Sequence, residues 1–205
     1  MSDWRRTSHD GWLAQLAAVG IDPGLAERCA AYLELLARWD EALNLVGRVD
    51  TSSLLRAHLL ESLAGVAHLP VDGRLLDLGS GNGFPAVPLL LAEPRLVGVL
   101  LEPRERRWGF LREVIRELGL QAEVVRARVE EIGDGEFAAI TVRALAMRVW
   151  WPQVGRLSGP GTVLLHWSAR EGGGTVPGSG WCRVVTSPLP DPRRGQLLVW
   201  RRCST

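Results

Sequence analysis

Residues Leu75–Pro88, LLDLGSGNGFPAVP, set Asp77 two positions ahead of three alternating glycines, Gly79, Gly81 and Gly83. Glycines at that spacing let the backbone turn tightly and approach a ligand with no Cβ between them. A pyrophosphate-binding turn reads G-x-G-x-x-G and aims a helix N-terminus at the anion. Here the spacing is G-x-G-x-G and Phe84-Pro85 follows, so a proline removes one amide that an anion would use. Asp77 would repel a diphosphate but suits an ammonium group, such as the amino-acid end of S-adenosylmethionine. Glu102 closes the next apolar run, where an acid can accept hydrogen bonds from ribose hydroxyls of a dinucleotide or of an adenosyl ligand. The loop favours S-adenosylmethionine over a dinucleotide. A tight turn that binds nothing is the plain alternative.

Other reactive side chains narrow the chemistry. Cys29, Cys182 and Cys203 are scattered and odd in number, which predicts neither a disulfide framework nor a zinc site, and a reducing, cytoplasmic setting. His58 and Glu61 share a helix face at i,i+3; they read as a packed, hydrogen-bonded pair joining helix to sheet rather than as half of a metal or acid–base site. All 24 basic residues are arginine, so no step can use a lysine amine. Net charge is +1, which confines any nucleic-acid surface to a local patch. Arg104, Arg106 and Arg107 open a helix, and Arg126 and Arg128 follow on the next strand. Positive charge at a helix N-terminus opposes the macrodipole, so these arginines do not serve helix stability; phosphate contact is the functional expectation. Among nine tryptophans, Trp39, Trp108 and Trp200 fit core stripes. Trp150-Trp151 and Trp167 lie nearer the ligand edge, where core or rim packing is favoured over base stacking.

The elements that must position these groups change character near residue 71. Residues 1–70 form an N-terminal helical extension, with Leu25, Cys29, Tyr32, Leu33, Leu36, Trp39 and Leu43 in one stripe. A second helical stretch begins near Thr51, Ser52 or Ser53 as candidate N-caps. Residues 71–205 form the ligand-binding core: RLLDLG, LVGVLLEP, QAEVVRARV, FAAITVRAL and GTVLLHWS read as strands. PAVPLLLAE and RERRWGFLREVIRELG read as helices, the latter closed by Gly119. Strands alternating with helices predict an α/β fold with a mostly parallel sheet. WCRVVTSPL and GQLLVWRR follow with no helix between them and predict an antiparallel edge hairpin. Residues 169–180 are glycine-rich and predict a mobile loop. The opening MSDWRRTSHDGW has no apolar core, and no window approaches 18 apolar residues, so neither a signal peptide nor a membrane span is expected.

Six segments in order, YLELLARWDEALNLV, RAHLLES, LLDLGSGNGFPAVPL, LLEPRERRWGFLREV, ARVEE and VRALA, give the chain a resemblance to the RsmG (GidB) family of methyltransferases over roughly residues 25–202. The resemblance implies a class I (Rossmann-like) methyltransferase with a seven-stranded sheet, S-adenosylmethionine as cofactor, and methylation of N7 of a guanine in bacterial 16S ribosomal RNA. The implied partner is that RNA or the small ribosomal subunit, and a monomer is expected. Gly79, Gly81 and Phe84 fall on the family's cofactor loop, Glu102 on its ribose-binding acid, and Val129 and Glu130 on the pair framing the adenine. Arg143 falls on the arginine beside the cofactor after the fourth strand. Arg104, Arg106, Arg107 and Arg128 are the expected RNA contacts. The chain departs from the family at Phe137-Ala138, where Phe-Asp is usual, at Val142 before Arg143-Ala144, and at Trp167-Ser168 in place of Lys-Gly. Guanine N7 carries an unprotonated lone pair at neutral pH, so methylation needs no general base and none is assigned. Arg143 is the favoured positioning residue, with a structural ion pair to a carboxylate as its alternative. A different RNA or a small molecule as substrate, or a non-catalytic RNA-binding role, are the rival functions.

Overall fold

The computed structural model describes residues 3–47, 49–169, 180–191 and 194–203. Its sheet comprises β1 (Gly73–Leu78), β2 (Leu96–Leu101), β3 (Ala122–Val125), β4 (Phe137–Arg143), β5 (Ser158–Ser168), β6 (Trp181–Pro188) and β7 (Gln196–Arg202), in the order β3-β2-β1-β4-β5-β7-β6. The first five strands pair in parallel, and β7 enters antiparallel between β5 and β6. The predicted mostly parallel sheet with an antiparallel edge hairpin is therefore observed. Central strands covered on both faces need near-continuous apolar sequence, and Leu75, Leu76, Leu78, Leu100 and Leu101 supply it, all buried.

One face is covered by α1 (His9–Ala18), α2 (Pro23–Leu43), α5 (Ala86–Ala92) and α6 (Glu105–Leu118), which share a core with Leu75, Leu100 and Leu165. In α2 the predicted stripe points inward: Cys29, Tyr32, Leu33 and Leu36 are fully buried. Gly119 closes α6 in the left-handed region as expected. The short α3 (Thr51–Leu54) starts one residue earlier than its spacing suggests, because Asp50 accepts the Ser53 amide at 2.7 Å and is the N-cap. It runs into a π-helical turn, Leu55–Leu60, and then α4 (Glu61–Leu63).

The other face carries α7 (Met147–Val154), where the sequence predicts no helix, and its Trp150 and Val154 pack with Leu76, Ile140 and Trp200. The segment QAEVVRARV is strand only over Ala122–Val125 and ends in a 3-10 turn, Val129–Glu131. The cysteine expectation is corrected: Cys182 and Cys203 form a disulfide, and Cys29 is free and buried. The cause is strand register, which sets Trp181 opposite Arg202 and lets the Cys203 amide donate to Gly180 at 2.8 Å, so both sulfurs meet at the open end of the hairpin. Of the expected loop at 169–180, residues 170–179 lie outside the described residues.

Candidate active site

The glycine turn leaves β1 with Gly79, Gly81 and Gly83 at φ of 77°, 57° and 92°, all in the left-handed region. Gly83 is required by packing as well, since a Cβ there would lie 2.8 Å from both Tyr32 Oη and Val87 Cγ2. Helix α2 braces the turn: Tyr32 Oη donates to the Asn82 carbonyl at 2.5 Å, and Asn82 Nδ2 to the Leu45 carbonyl at 3.2 Å. Phe84 packs its buried ring against Tyr32 and His58, so it holds the turn from beneath. Gly79 is open by contrast; the nearest atom to a Cβ there would be Leu145 Cδ2 at 3.9 Å.

Strand order β3-β2-β1-β4 lines up the sequence-predicted residues along one carboxyl edge, the place where open α/β sheets bind ligands. Val129 follows β3, Glu102 follows β2, the glycines follow β1, and Arg143 ends β4. Glu102 is buried; its Oε2 accepts the Gly81 amide at 2.9 Å and its Oε1 the Arg104 amide at 2.8 Å, and each oxygen keeps a lone pair for a further donor. Val129 is buried, with its carbonyl held by Arg156 Nη2 at 2.7 Å, and Glu130 beside it is exposed.

Asp77 is 1% exposed, and Thr141 Oγ1 donates to its Oδ1 at 2.7 Å. Its Oδ2 is buried with no partner among the described residues. Burial pushes this carboxyl up to about 6, although the hydroxyls of Ser80 and Thr141 pull the other way. An orphaned buried carboxylate oxygen is costly, and a cationic ligand group would relieve it. The free Asp77 oxygen, the open face of Gly79 and the Glu102 carboxylate together fit an adenosyl ligand that carries an amino acid. Sequence spacing found Asp77 but not Thr141, which reaches it only through the β1–β4 pairing.

Arg104 and Arg106 are exposed and Arg107 half-buried at the start of α6, where with Leu43 and Glu105 they border a hollow of about 680 Å³. Arg107 also reaches the glycine turn, its Nη1 being 3.3 Å from a Cβ built on Gly81. Arg126 is paired with Glu105 at 3.2 Å. Arg128 is exposed and caps the turn after β3, where its amide donates to Glu131 Oε2 at 2.7 Å.

Arg143 turns its guanidinium into the helical layer. Nη2 donates to Glu61 Oε2 at 2.5 Å and to the Ala57 carbonyl at 2.6 Å. Glu61 is 1% exposed; its Oε1 accepts Arg194 Nε at 2.7 Å, and its carbonyl accepts Trp167 Nε1 at 2.6 Å. The expected His58–Glu61 pair is corrected, because two arginines take the carboxylate while the His58 ring packs on Phe84. Burial, with the charges of Arg143 and Arg194, pushes His58 down to about 4, so it is neutral at physiological pH.

Beyond Arg143, Ala144 adopts φ 55°, an uncommon conformation for a residue with a Cβ. Here a cleft of about 810 Å³ opens, bordered by Arg143, Leu145, Arg148, His166, Trp167 and Arg194. His166, which spacing did not single out, packs between Trp150 and Trp200 and is pushed by burial down to about 4. Trp150 is fully buried in the core and Trp151 packs edge-on against it, in keeping with the expected core or rim packing. Of the three family departures only Trp167-Ser168 borders the cleft. Ala138 packs on Gly73 at the far end of β4, and Val142 is core.

This strand order, with the glycine turn after β1 and the acid after β2, defines the class I methyltransferase fold. The chain belongs to the family described as GidB, rRNA small subunit methyltransferase G, whose profile matches residues 26–166. It is 41% identical over 129 residues to the Ribosomal RNA small subunit methyltransferase G of Halorhodospira halophila, a match covering 62% of this chain and 61% of that relative. With the protein of the same name from Stenotrophomonas maltophilia (strain K279a) it shares 39% identity over 153 residues, 73% and 72% of the two chains. Among solved structures, 1,6-didemethyltoxoflavin-N1-methyltransferase of Burkholderia thailandensis superposes with a TM-score of 0.59 at 15% identity, covering 82% of this chain and 88% of that one.

Proposed function

We propose that the protein methylates N7 of a guanine in small-subunit (16S) ribosomal RNA, with S-adenosylmethionine as donor. The observation that carries the reading is the buried, half-satisfied Asp77 carboxylate beside an open glycine turn, next to an arginine-bordered cleft. S-adenosylmethionine, when bound, supplies a methyl group already activated by its sulfonium. Asp77 Oδ2 takes the ammonium group and the lone pairs of Glu102 take ribose hydroxyls. Val129 and Glu130 frame the adenine, and Gly79 and Gly81 allow the backbone to come close. Arg143 acts through position: locked to Glu61, it fixes the end of β4 beside the cleft. No residue need move a proton, since the acceptor nitrogen already carries a lone pair. The work of the chain is alignment and exclusion of water. Arg104, Arg106, Arg107 and Arg128 meet RNA phosphates.

All of these groups come from one chain, which supports action as a monomer, and a ribosomal substrate supports action in the cytoplasm. No helix among the described residues is long and apolar enough to cross a membrane. The buried Trp167 at the cleft wall favours one second reading, the same donor with another RNA or a small molecule. N7-methylguanosine mapping of ribosomal RNA with and without the gene tests the choice. A methylated 16S guanine that vanishes on deletion is expected; an unchanged map, with tritium transferred instead to another RNA or metabolite, would sink the ribosomal reading.

A further inference from the structure

We propose that Arg194 is the cleft residue that receives a phosphate of the acceptor nucleotide, held in place for it by the buried carboxylate of Glu61. This rests on the functional reading above and adds a residue to its acceptor side. The cleft volume lies within the range of about 300–1,000 Å³ usual for small-ligand sites, and its walls divide by chemistry. Leu145, Met147, Leu189 and Trp167 give an apolar lining suited to a base, while Arg148 and Arg194 bring positive charge.

Charge accounting singles out Arg194. Arg143 and Arg194 both bind the one Glu61 carboxylate, so the cluster carries surplus positive charge. Arg143 is 14% exposed and spends its donors on Glu61 and on the Ala57 carbonyl, whereas Arg194 is 44% exposed. The surplus therefore faces solvent at Arg194. The bond from its Nε to Glu61 fixes the plane of the guanidinium, and a fixed planar fork matches the geometry of a phosphate.

The backbone delivers this side chain deliberately. Gly195 has φ 123°, and a Cβ there would lie 1.9 Å from the Ser168 carbonyl oxygen. The start of β7 is thus pressed onto the end of β5, and the Leu189 amide donates to the Gly195 carbonyl at 3.2 Å. Arg194 borders the cleft together with Met147 and Arg148 of α7, and in the strand order β7 lies on the other side of β1 from β2, which the α6 arginines follow.

Methyl transfer to deproteinised small subunits, measured across a salt series for wild type, Arg194→Ala and Arg194→Lys, tests the assignment, with calorimetry reporting S-adenosylmethionine affinity. Arg194→Ala is expected to raise KM for RNA about tenfold, as loss of one charge-assisted phosphate contact does. Its kcat and cofactor affinity should stay within twofold of wild type, and its salt slope should fall by about 0.7–0.9. Arg194→Lys should restore the slope and only part of the KM. Wild-type KM and slope in Arg194→Ala overturn the inference alone, as does a primary loss of cofactor binding. A wild-type protein that methylates no ribosomal RNA overturns the functional reading and this inference with it.

Discussion

Arg143 Nη2 lies 2.5 Å from Oε2 of Glu61, a side chain only 1% exposed, so the last residue of β4 is locked to the helical segment that precedes the sheet. Removing one partner of a buried pair strands the other, at roughly 3–5 kcal/mol. Arg143→Ala is therefore expected to lower Tm by about 10 °C for a chain of this size, with activity lost alongside stability. Arg194 remains to Glu61 and keeps the loss at the lower end. Differential scanning calorimetry checks this. A variant that melts like wild type yet has lost kcat would mean that Arg143 acts on the reacting groups and not through Glu61.

Asp77 gives the fold a pH dependence of unusual sign. Its carboxyl titrates near 6 in the folded chain against an ordinary 3.8, so the fold binds this proton more tightly than the unfolded chain does. The stabilising contribution is complete below about pH 4 and is lost as pH rises through 6. Asp77→Asn carries no such titration. It should be more stable than wild type by ~3 kcal/mol at pH 7.5 and gain little at pH 4, in urea denaturation at both values. The same variant should bind S-adenosylmethionine at least tenfold more weakly, because the ammonium group loses its counter-charge. Equal stability profiles for the two proteins would refute the buried-charge account.

Tyr32 ties the α2 helix to the glycine turn through a hydrogen bond to the Asn82 carbonyl. Tyr32→Phe keeps the ring against Phe84 but leaves that carbonyl without its donor, a loss of about 1–3 kcal/mol. Weaker cofactor binding should accompany the loss, since the turn is freer. Calorimetric titration that finds wild-type affinity in a destabilised variant would show the brace to be purely structural.

Thiol titration separates the three cysteines. Native protein should show no reactive thiol, because Cys182 and Cys203 are bonded and Cys29 is buried with its thiol pushed up to about 12. Mild reduction should expose two, and the third only on unfolding. One fast-reacting thiol before reduction would contradict the burial of Cys29.

What could be read from sequence was whatever local spacing controls. The order of strands and helices, the glycine turn, and the acids Asp77 and Glu102 are all set within a few residues of their neighbours. Contacts made by sheet register were not legible: Thr141 on Asp77, Cys182 with Cys203, and Arg194 on Glu61 across 133 positions. The His58–Glu61 pairing fails for a local reason instead. An α-helical period does not hold there, because the chain makes a π-helical turn over Leu55–Leu60, with more residues per turn. The α7 helix leaves little signal in the sequence, being only eight residues long with Pro152 inside it.

The placement of β7 between β5 and β6 has a consequence in time. Among the described residues β6 pairs with β7 alone, and both follow every other strand in the chain, so this edge can join β5 only after the other strands have been synthesised. Chains fold from the N-terminus as they are made. The strands that carry Asp77, Glu102 and Arg143 can close around one another while the hairpin is still emerging. On the ribosome, the half of the molecule proposed to hold the donor is finished first, and the edge that borders the cleft with Leu189 and Arg194 arrives last.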